Sequence, residues 1–446
     1  MNEDVKILTS SSSIVSSPWK WVPTLYIAEG LPYFAVNTLT VLMYVKLGIG
    51  MAEMAFFTGW LYLPWVIKPF WSPLLDLLST NRKWIVMMEF LISISMAGVA
   101  FFLPFSNFFI FTLICFWLMS FFSATHDIAA DGFYIQSLNT HQQASFVGVR
   151  STFYRIASVI GQGGLVMLAG YFETQTENNV LSWSYIFYLL SGFFLIVSFY
   201  HYFSLPQAKK EKEKEPQTAS SFLKDFIETF VLYFKKKHIW GALLFMLLYR
   251  FPEALCIKIV QPFMVAAKDD GGLGMSTTQV GFVNGTIGVI ALLAGGIAGG
   301  IVISKGGLRK WLWPMAMSLT FPCIFYCFLA MWQPDSSFLI SSAVFVEQFG
   351  YGFGFSAYML YLMYFSRGDK STSFYAFCTA FMALGMMIPG MMAGWIYESL
   401  ENLNLIGNLT MSGYANFFWL VMCSCIITLL VCKNLHIDGS FGKKSD

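Results

Sequence analysis

Twelve runs of roughly twenty residues, almost free of charge, recur along the whole 446-residue chain: 19–44, 53–76, 84–104, 107–135, 143–171, 181–204, 239–266, 276–304, 309–331, 336–365, 371–398 and 411–433. Uninterrupted apolar runs of that length are what a helix needs to cross a bilayer. They are continuous rather than alternating, which excludes a membrane β-barrel. Only 12% of residues are charged, against about 25% in soluble domains. The expected fold is an all-α membrane protein of twelve transmembrane helices.

The net charge of +2 is uninformative and gives no reason to expect a nucleic-acid partner; the placement of the charges says more. With an even number of spans both termini share a side. The loops on that side hold twenty of the twenty-seven Lys and Arg, and the opposite loops hold only Lys46 and Lys268. Cytoplasmic loops retain cations, so both termini are expected in the cytoplasm. All eight cysteines fall inside spans, so neither a disulfide framework nor a zinc spacing is present, and no metal or cofactor is expected. The first seventeen residues are polar and Ser-rich with no cleavable signal pattern, leaving the first span as the targeting signal.

One segment breaks the rhythm. "KKEKEKEPQTASSFLKDFIETFVLYFKKKHIW" begins as a solvated charged linker. From Phe222 to Phe234 its apolar residues return at helical spacing, reading as an amphipathic helix on the inner membrane surface, either a tether or a regulatory element. The flanking halves echo one another. "SFVGVRSTFYRIASVIGQGGLVMLAGYFE" in span five resembles "SFYAFCTAFMALGMMIPGMMAGWIYE" in span eleven, and spans one and seven each carry a proline beside a mid-span acid. This is the layout of a transporter built from two homologous halves. The expected division is a tail at 1–18, a six-helix bundle at 19–204, a linker at 205–238, a second six-helix bundle at 239–434 and a tail at 435–446.

Eleven ionisable residues lie within the spans: Glu29, Glu89, Asp127, Asp131, Glu253, Glu347, Lys68, Arg150, Arg155, Arg250 and Lys258. Each costs about 2.5–3.5 kcal/mol to insert, so unpaired they would cost roughly 30 kcal/mol. They must pair, face water, or both. In "ATHDIAADG", Asp127 and Asp131 are four residues apart and share one helix face. Carboxylates that close favour a proton on one of them. Arg150 and Arg155 enter the same inner half of the membrane from span five. An ion-pair latch at the inner gate, proton coupling and substrate contact are all compatible with these residues. His126 lies about 100° round the helix from Asp127 and need not share their face.

Glu29, Arg250, Glu253 and Glu347 fall near mid-span, where transporter binding sites sit. Arg250 and Glu253 at i, i+3 either neutralise each other or line a cavity wall loosened by Pro252. Lys68 and Lys258 either snorkel or pair, and Lys68 is deep enough to bind an anion. Aromatics such as Tyr33 and Trp65 either pack against neighbours or stack on a cargo's rings. Asn408 opens an "NLT" glycosylation sequon.

The stretches "EGLPYF", "KPFWSPLLD", "ATHDIAADG" and "VFVEQFGYGFG" together resemble the AmpG muropeptide permease family of the major facilitator superfamily, whose relatives include acetyl-CoA transporter-like proteins and siderophore permeases. The resemblance covers nearly the whole chain. It implies two pseudo-symmetric six-helix bundles and proton-driven import of N-acetylglucosaminyl-anhydro-N-acetylmuramyl peptides across a bacterial inner membrane. It carries over Asp127, Asp131, Lys68 and Asp76, with Arg250 and Glu253 matching a basic-x-x-acidic pair. His126, Gly132, Tyr134 and Gln136 depart from the family pattern, which has Gln, Ala, Lys and an acid there.

The resulting expectation is a monomeric, proton-coupled secondary transporter, not an enzyme, working by alternating access. Asp127, Asp131, Arg150, Arg155 and His126 are its candidate coupling and gating residues. Glu29, Lys68, Arg250, Glu253, Glu347, Tyr33 and Trp65 are its candidate substrate-binding residues. A siderophore or another amphiphilic anion is the alternative cargo. An intramembrane enzyme and a non-transporting sensor are the rival classes; paired catalytic acids in the membrane would come from two helices rather than one.

Overall fold

The computed structural model describes residues 17–72, 75, 79–138, 140–206, 219–368, 370–401, 412–433, 435–439 and 441, and all regular structure among them is helical. Asp76 and Asn408 lie outside the described residues. Thirteen rods follow in order: α1 (22–46), α2 (51–70), α3 (Asn81–Phe102), α4 (Phe108–Ser137), α5 (140–176), α6 (Asn179–Ser204), α7 (Ala219–Phe234), α8 (239–265), α9 (277–306), α10 (308–332), α11 (Ser337–Phe365), α12 (Ser371–Leu400) and α13 (Gly413–Lys433). Among the described residues, eight helices are long and apolar enough to cross a membrane by length and composition. Of the other spans, α1, α2 and α8 are interrupted at or near prolines, while α11 carries Glu347, Gln348 and four tyrosines.

The interruptions have local causes. Pro32 removes a donor inside α1, and the chain widens into a π turn at Ala35–Leu39. Two side chains serve backbone carbonyls beside it: Asn37 Nδ2 donates to Tyr33 O at 2.9 Å and Thr40 Oγ1 to Ala35 O at 2.9 Å. In α8 the helix stops at Tyr249, Arg250 takes a non-helical conformation, and Phe251–Val265 starts afresh with Pro252 in its first turn. Thr428 Oγ1 of α13 donates to Tyr249 O at 2.9 Å, serving a carbonyl at the break. Further π turns occupy Val159–Gly164 in α5 and Gly281–Gly288 in α9.

The buried apolar residues fall into two sets. One joins α1 to α6 through Phe116, Trp183, Phe187 and Phe194, with a satellite around Trp21 and Phe133. The other joins α8 to α13 through Phe263, Tyr414 and Phe418 on one side, and through stacked Tyr249 and Tyr358, 5.2 Å between centroids, on the other. The linker helix α7 docks on the second half: Tyr233 is fully buried against Phe374 and Phe377, and Lys370 Nζ donates to Thr229 Oγ1 at 2.9 Å. Its Ile227, Val231 and Leu232 remain exposed, as an amphipathic surface helix requires. Beside it, His238 stacks on His436 at 3.9 Å, and the following residues fold back so that Leu308 N donates to Phe441 O at 3.0 Å.

The halves meet most closely at the end remote from the first and last described residues, here called the far end. There α5 crosses α9, and α12 crosses α2. Both crossings are backbone against backbone. A Cβ on Gly285 would stand 2.1 Å from Gln162 O, and one on Gly394 would stand 2.1 Å from Met51 O. Only residues without a side chain permit such an approach.

Candidate functional site

The i, i+4 acids of α4 project from one face but take different partners. Asp127 Oδ2 lies 3.8 Å from Lys68 Nζ and accepts from Trp65 Nε1 at 3.2 Å, both on α2. Asp131 Oδ1 lies 2.6 Å from an Arg150 guanidinium nitrogen on α5. Arg150 also spreads over the Tyr26 ring at 4.6 Å and the Tyr134 ring at 5.8 Å. All these residues belong to the first half, so the Asp131–Arg150 pair ties α4 to α5 and does not bridge the halves. The side chains of Lys68, Arg150 and Asp131 are 35%, 32% and 44% exposed, so this cluster is open rather than sealed. Arg155 is exposed one turn further along α5, and no ion pair joins it among the described residues.

Glu29 completes the cluster. It is 8% exposed and stands within electrostatic reach of Asp131, Asp127, Arg150 and Lys68. Its Oε2, like the neighbouring Tyr26 hydroxyl, is buried with no hydrogen-bond partner among the described residues. An orphaned carboxylate oxygen is costly to bury. A proton, a water or a cargo donor would relieve it.

An aromatic shelf runs from this cluster towards the far end. Tyr33 packs edge-on to Trp65 at 5.5 Å and reaches Tyr62, hydroxyl to hydroxyl, at 3.3 Å. Lys258 of the second half sits 5.7 Å over the Tyr62 ring and donates to Thr58 Oγ1 at 3.1 Å. Its side chain is buried, and no ion pair joins it among the described residues.

In the second half Arg250 grips Glu253 through two hydrogen bonds of 2.8 Å and donates to Tyr351 Oη at 2.7 Å. Phe355 covers the guanidinium at 4.9 Å. The pair is bidentate and internally satisfied. Glu347 is separate from it, buried within the second half, where its Oε2 accepts from Tyr326 Oη at 3.1 Å and Gln348 Nε2 at 2.8 Å.

His126 turns away from the acids beside it. Its Nε2 lies 3.2 Å from Glu89 Oε1, which also meets His201 Nδ1 at 2.7 Å; His201 Nε2 then reaches Thr24 Oγ1 at 2.8 Å. The three ionisable side chains are at most 1% exposed. This chain of four residues ties α1, α3, α4 and α6 together inside the first bundle. Glu89 was legible as a buried acid, but His201 carried no signal, because its partner is 112 residues away. Thr58, Tyr62 and Tyr351 were missed for the same reason.

Twelve largely apolar rods in two cores, beside the linker helix α7, with ionisable side chains part-open to solvent along them, describe a multi-pass membrane protein. The sequence profile of the Major Facilitator Superfamily matches residues 24–390, and the chain belongs to that superfamily. It is 24% identical to the anhydromuropeptide permease of Escherichia coli (strain K12), over 91% of this chain and 78% of that protein. Among solved structures it is similar to a D-xylose–proton symporter (TM-score 0.68, 14% identity, covering 96% of this chain and 99% of that one). It is similar also to the nucleoside transporter NupG (TM-score 0.70, 12% identity, 92% and 98%). The protein is a transporter, not an enzyme.

Proposed function

We propose that the protein is a proton-coupled symporter carrying an anhydromuropeptide into the cytoplasm across a bacterial inner membrane, with residues 19–204 and 239–434 as its two rocking units. The observation that carries this reading is the open carboxylate cluster of Asp127, Asp131 and Glu29 facing Lys68 and Arg150. Ionised groups half-exposed at that depth need water around them. The cluster therefore faces a vestibule between the halves, closed at the far end and open at the end bearing the basic loops. By the distribution of cations, the open end is cytoplasmic.

Three acids against two cations leave one negative charge that a proton removes. A proton on Asp127 weakens its hold on Lys68, 3.8 Å away, and frees the amine for a carboxylate of the cargo. A proton on Glu29 relieves its repulsion from both aspartates. Trp65 and Tyr33 offer faces for the cargo's sugar rings. Arg250, Glu253 and Tyr351 form the opposite wall, and an anionic cargo competes with Glu253 for the guanidinium. His126 acts through Glu89, by fixing α4, rather than by touching cargo. The name of the Escherichia coli relative supports the cargo.

The test is uptake of labelled anhydromuropeptide into membrane vesicles with and without an imposed proton gradient. Accumulation that follows the gradient supports the reading; uptake indifferent to the gradient removes the coupling. Competition by a siderophore but not by excess muropeptide would reassign the cargo.

A further inference from the structure

Glu173 and Glu398 close the two matching segments whose sequences echo one another, "AGYFE" at the end of α5 and "AGWIYE" at the end of α12. Each glutamate crosses to the opposite half at the far end, and each meets the first turn of a helix there. Glu173 Oε2 accepts from Thr277 Oγ1 at the start of α9 at 2.5 Å. Glu398 Oε1 accepts from the backbone N–H of Ala52 in the first turn of α2 at 2.8 Å. The two contacts are reciprocal, one from a hydroxyl and one from a backbone N–H: one half supplies the acid to the other, and receives one in return.

We infer that Glu173 and Glu398 are paired latches holding the far end shut, so that both must let go for the opposite state to form; this rests on the alternating-access reading above. Charge-assisted hydrogen bonds are about twice as strong as neutral ones, and an anion beside a helix start gains further from the macrodipole. Glu173 is held ready by its own half. Its Oε1 accepts from Trp183 Nε1 at 3.1 Å, and Lys46 stands 3.9 Å from Oε2. Trp183 thus holds one oxygen, while the other, with Lys46 near it, serves the opposite half. Below each latch the helices touch backbone to backbone, at Gly285 and at Gly394, and among the described residues the side-chain hydrogen bond across the α5–α9 crossing there is the long one from Thr278 Oγ1 to Met167 O at 3.5 Å. The acids supply the reversible part of the closure. The glycines supply the close fit.

These are positioning residues, and the measurement that reads them is the population of the closed state, independent of any cargo. Spin labels at exposed Gln175 and Asp269, one from each half at the far end, report that distance in the full chain in lipid nanodiscs. Wild type should give one short distance. Glu173→Gln and Glu398→Gln each keep an acceptor but remove the charge, and each should raise the open-to-closed ratio about tenfold. The double variant should approach a hundredfold if the latches act independently. Thr277→Val removes the donor instead of the acid and should match Glu173→Gln, which separates loss of the bond from general damage. A double variant with the wild-type distance distribution would overturn the inference while leaving transport itself untouched. Conversely, if no cargo accumulates in vesicles, the distance changes still stand or fall alone.

Discussion

Lys258 donates to Thr58 across the two halves at 3.1 Å, an ammonium group buried among apolar neighbours with a hydroxyl for its partner. A hydroxyl does not neutralise a charge. Burying an ion without a counter-ion costs several kcal/mol. Lys258→Met keeps the length and removes the cost, so the solubilised variant should melt several degrees above wild type. An unchanged or lower melting temperature would show that the amine is compensated.

Asp127 and Asp131 should behave differently when neutralised. Asp127→Asn loses the charge facing Lys68 and should abolish gradient-driven accumulation; normal accumulation would remove Asp127 from the mechanism. Asp131→Asn frees Arg150, which keeps its place over Tyr26, so uptake should be weakened rather than lost. Equal, total loss in both variants would erase that distinction.

Glu89 holds two histidines on one oxygen in a fully buried site. Removing one partner from such a network costs about 3–5 kcal/mol. Glu89→Gln should therefore lower the denaturation midpoint steeply while leaving cargo affinity near wild type in whatever folds. A stable variant with impaired binding would instead place the triad in the transport path.

Gly285 admits no side chain. The oxygen 2.1 Å from its would-be Cβ belongs to the backbone of Gln162 and cannot swing aside. Gly285→Ala should force α5 from α9 and expose the far end, raising the labelling of cysteines introduced along that crossing. Labelling at the wild-type rate would mean the crossing is looser than its geometry.

At the surface, His238 is held below the ordinary imidazole range by partial desolvation first, then by the nearby His436 and Lys237. Its docked form thus binds protons less readily than its undocked form. The stack is intact above the ordinary value of 6.5 and weakens as pH falls through the window beneath it. Limited proteolysis of the final residues should accelerate between pH 7 and pH 5, and His238→Phe should abolish that acceleration. A cleavage rate flat with pH would refute the switch.

Much of the fold is legible in the sequence, because lipid imposes a single strong rule on composition and length. Every buried charge announced itself for the same reason. Partner choice did not. Spacing placed Asp127 and Asp131 on one face, yet which of them takes Arg150 depends on how α2 and α5 lean against α4, and that leaning is set by non-local packing. His126 shows the limit most clearly, since its place in a triad with Glu89 and His201 follows from two helices distant in the chain. The breaks at Pro32 and Pro252 were visible as missing donors; the π turns at Val159–Gly164 and Gly281–Gly288 contain no proline and had no such sign.

Those two wide turns lie against each other, one from each half, with Gly163 and Gly285 in contact. A π turn stores one residue more than an α turn, and passing that surplus along the rod rotates everything beyond it by about 100°. Because the two surpluses mesh, neither rod can unwind until its neighbour yields room. On the alternating-access reading, the two meshed rods would then have to move together rather than one at a time.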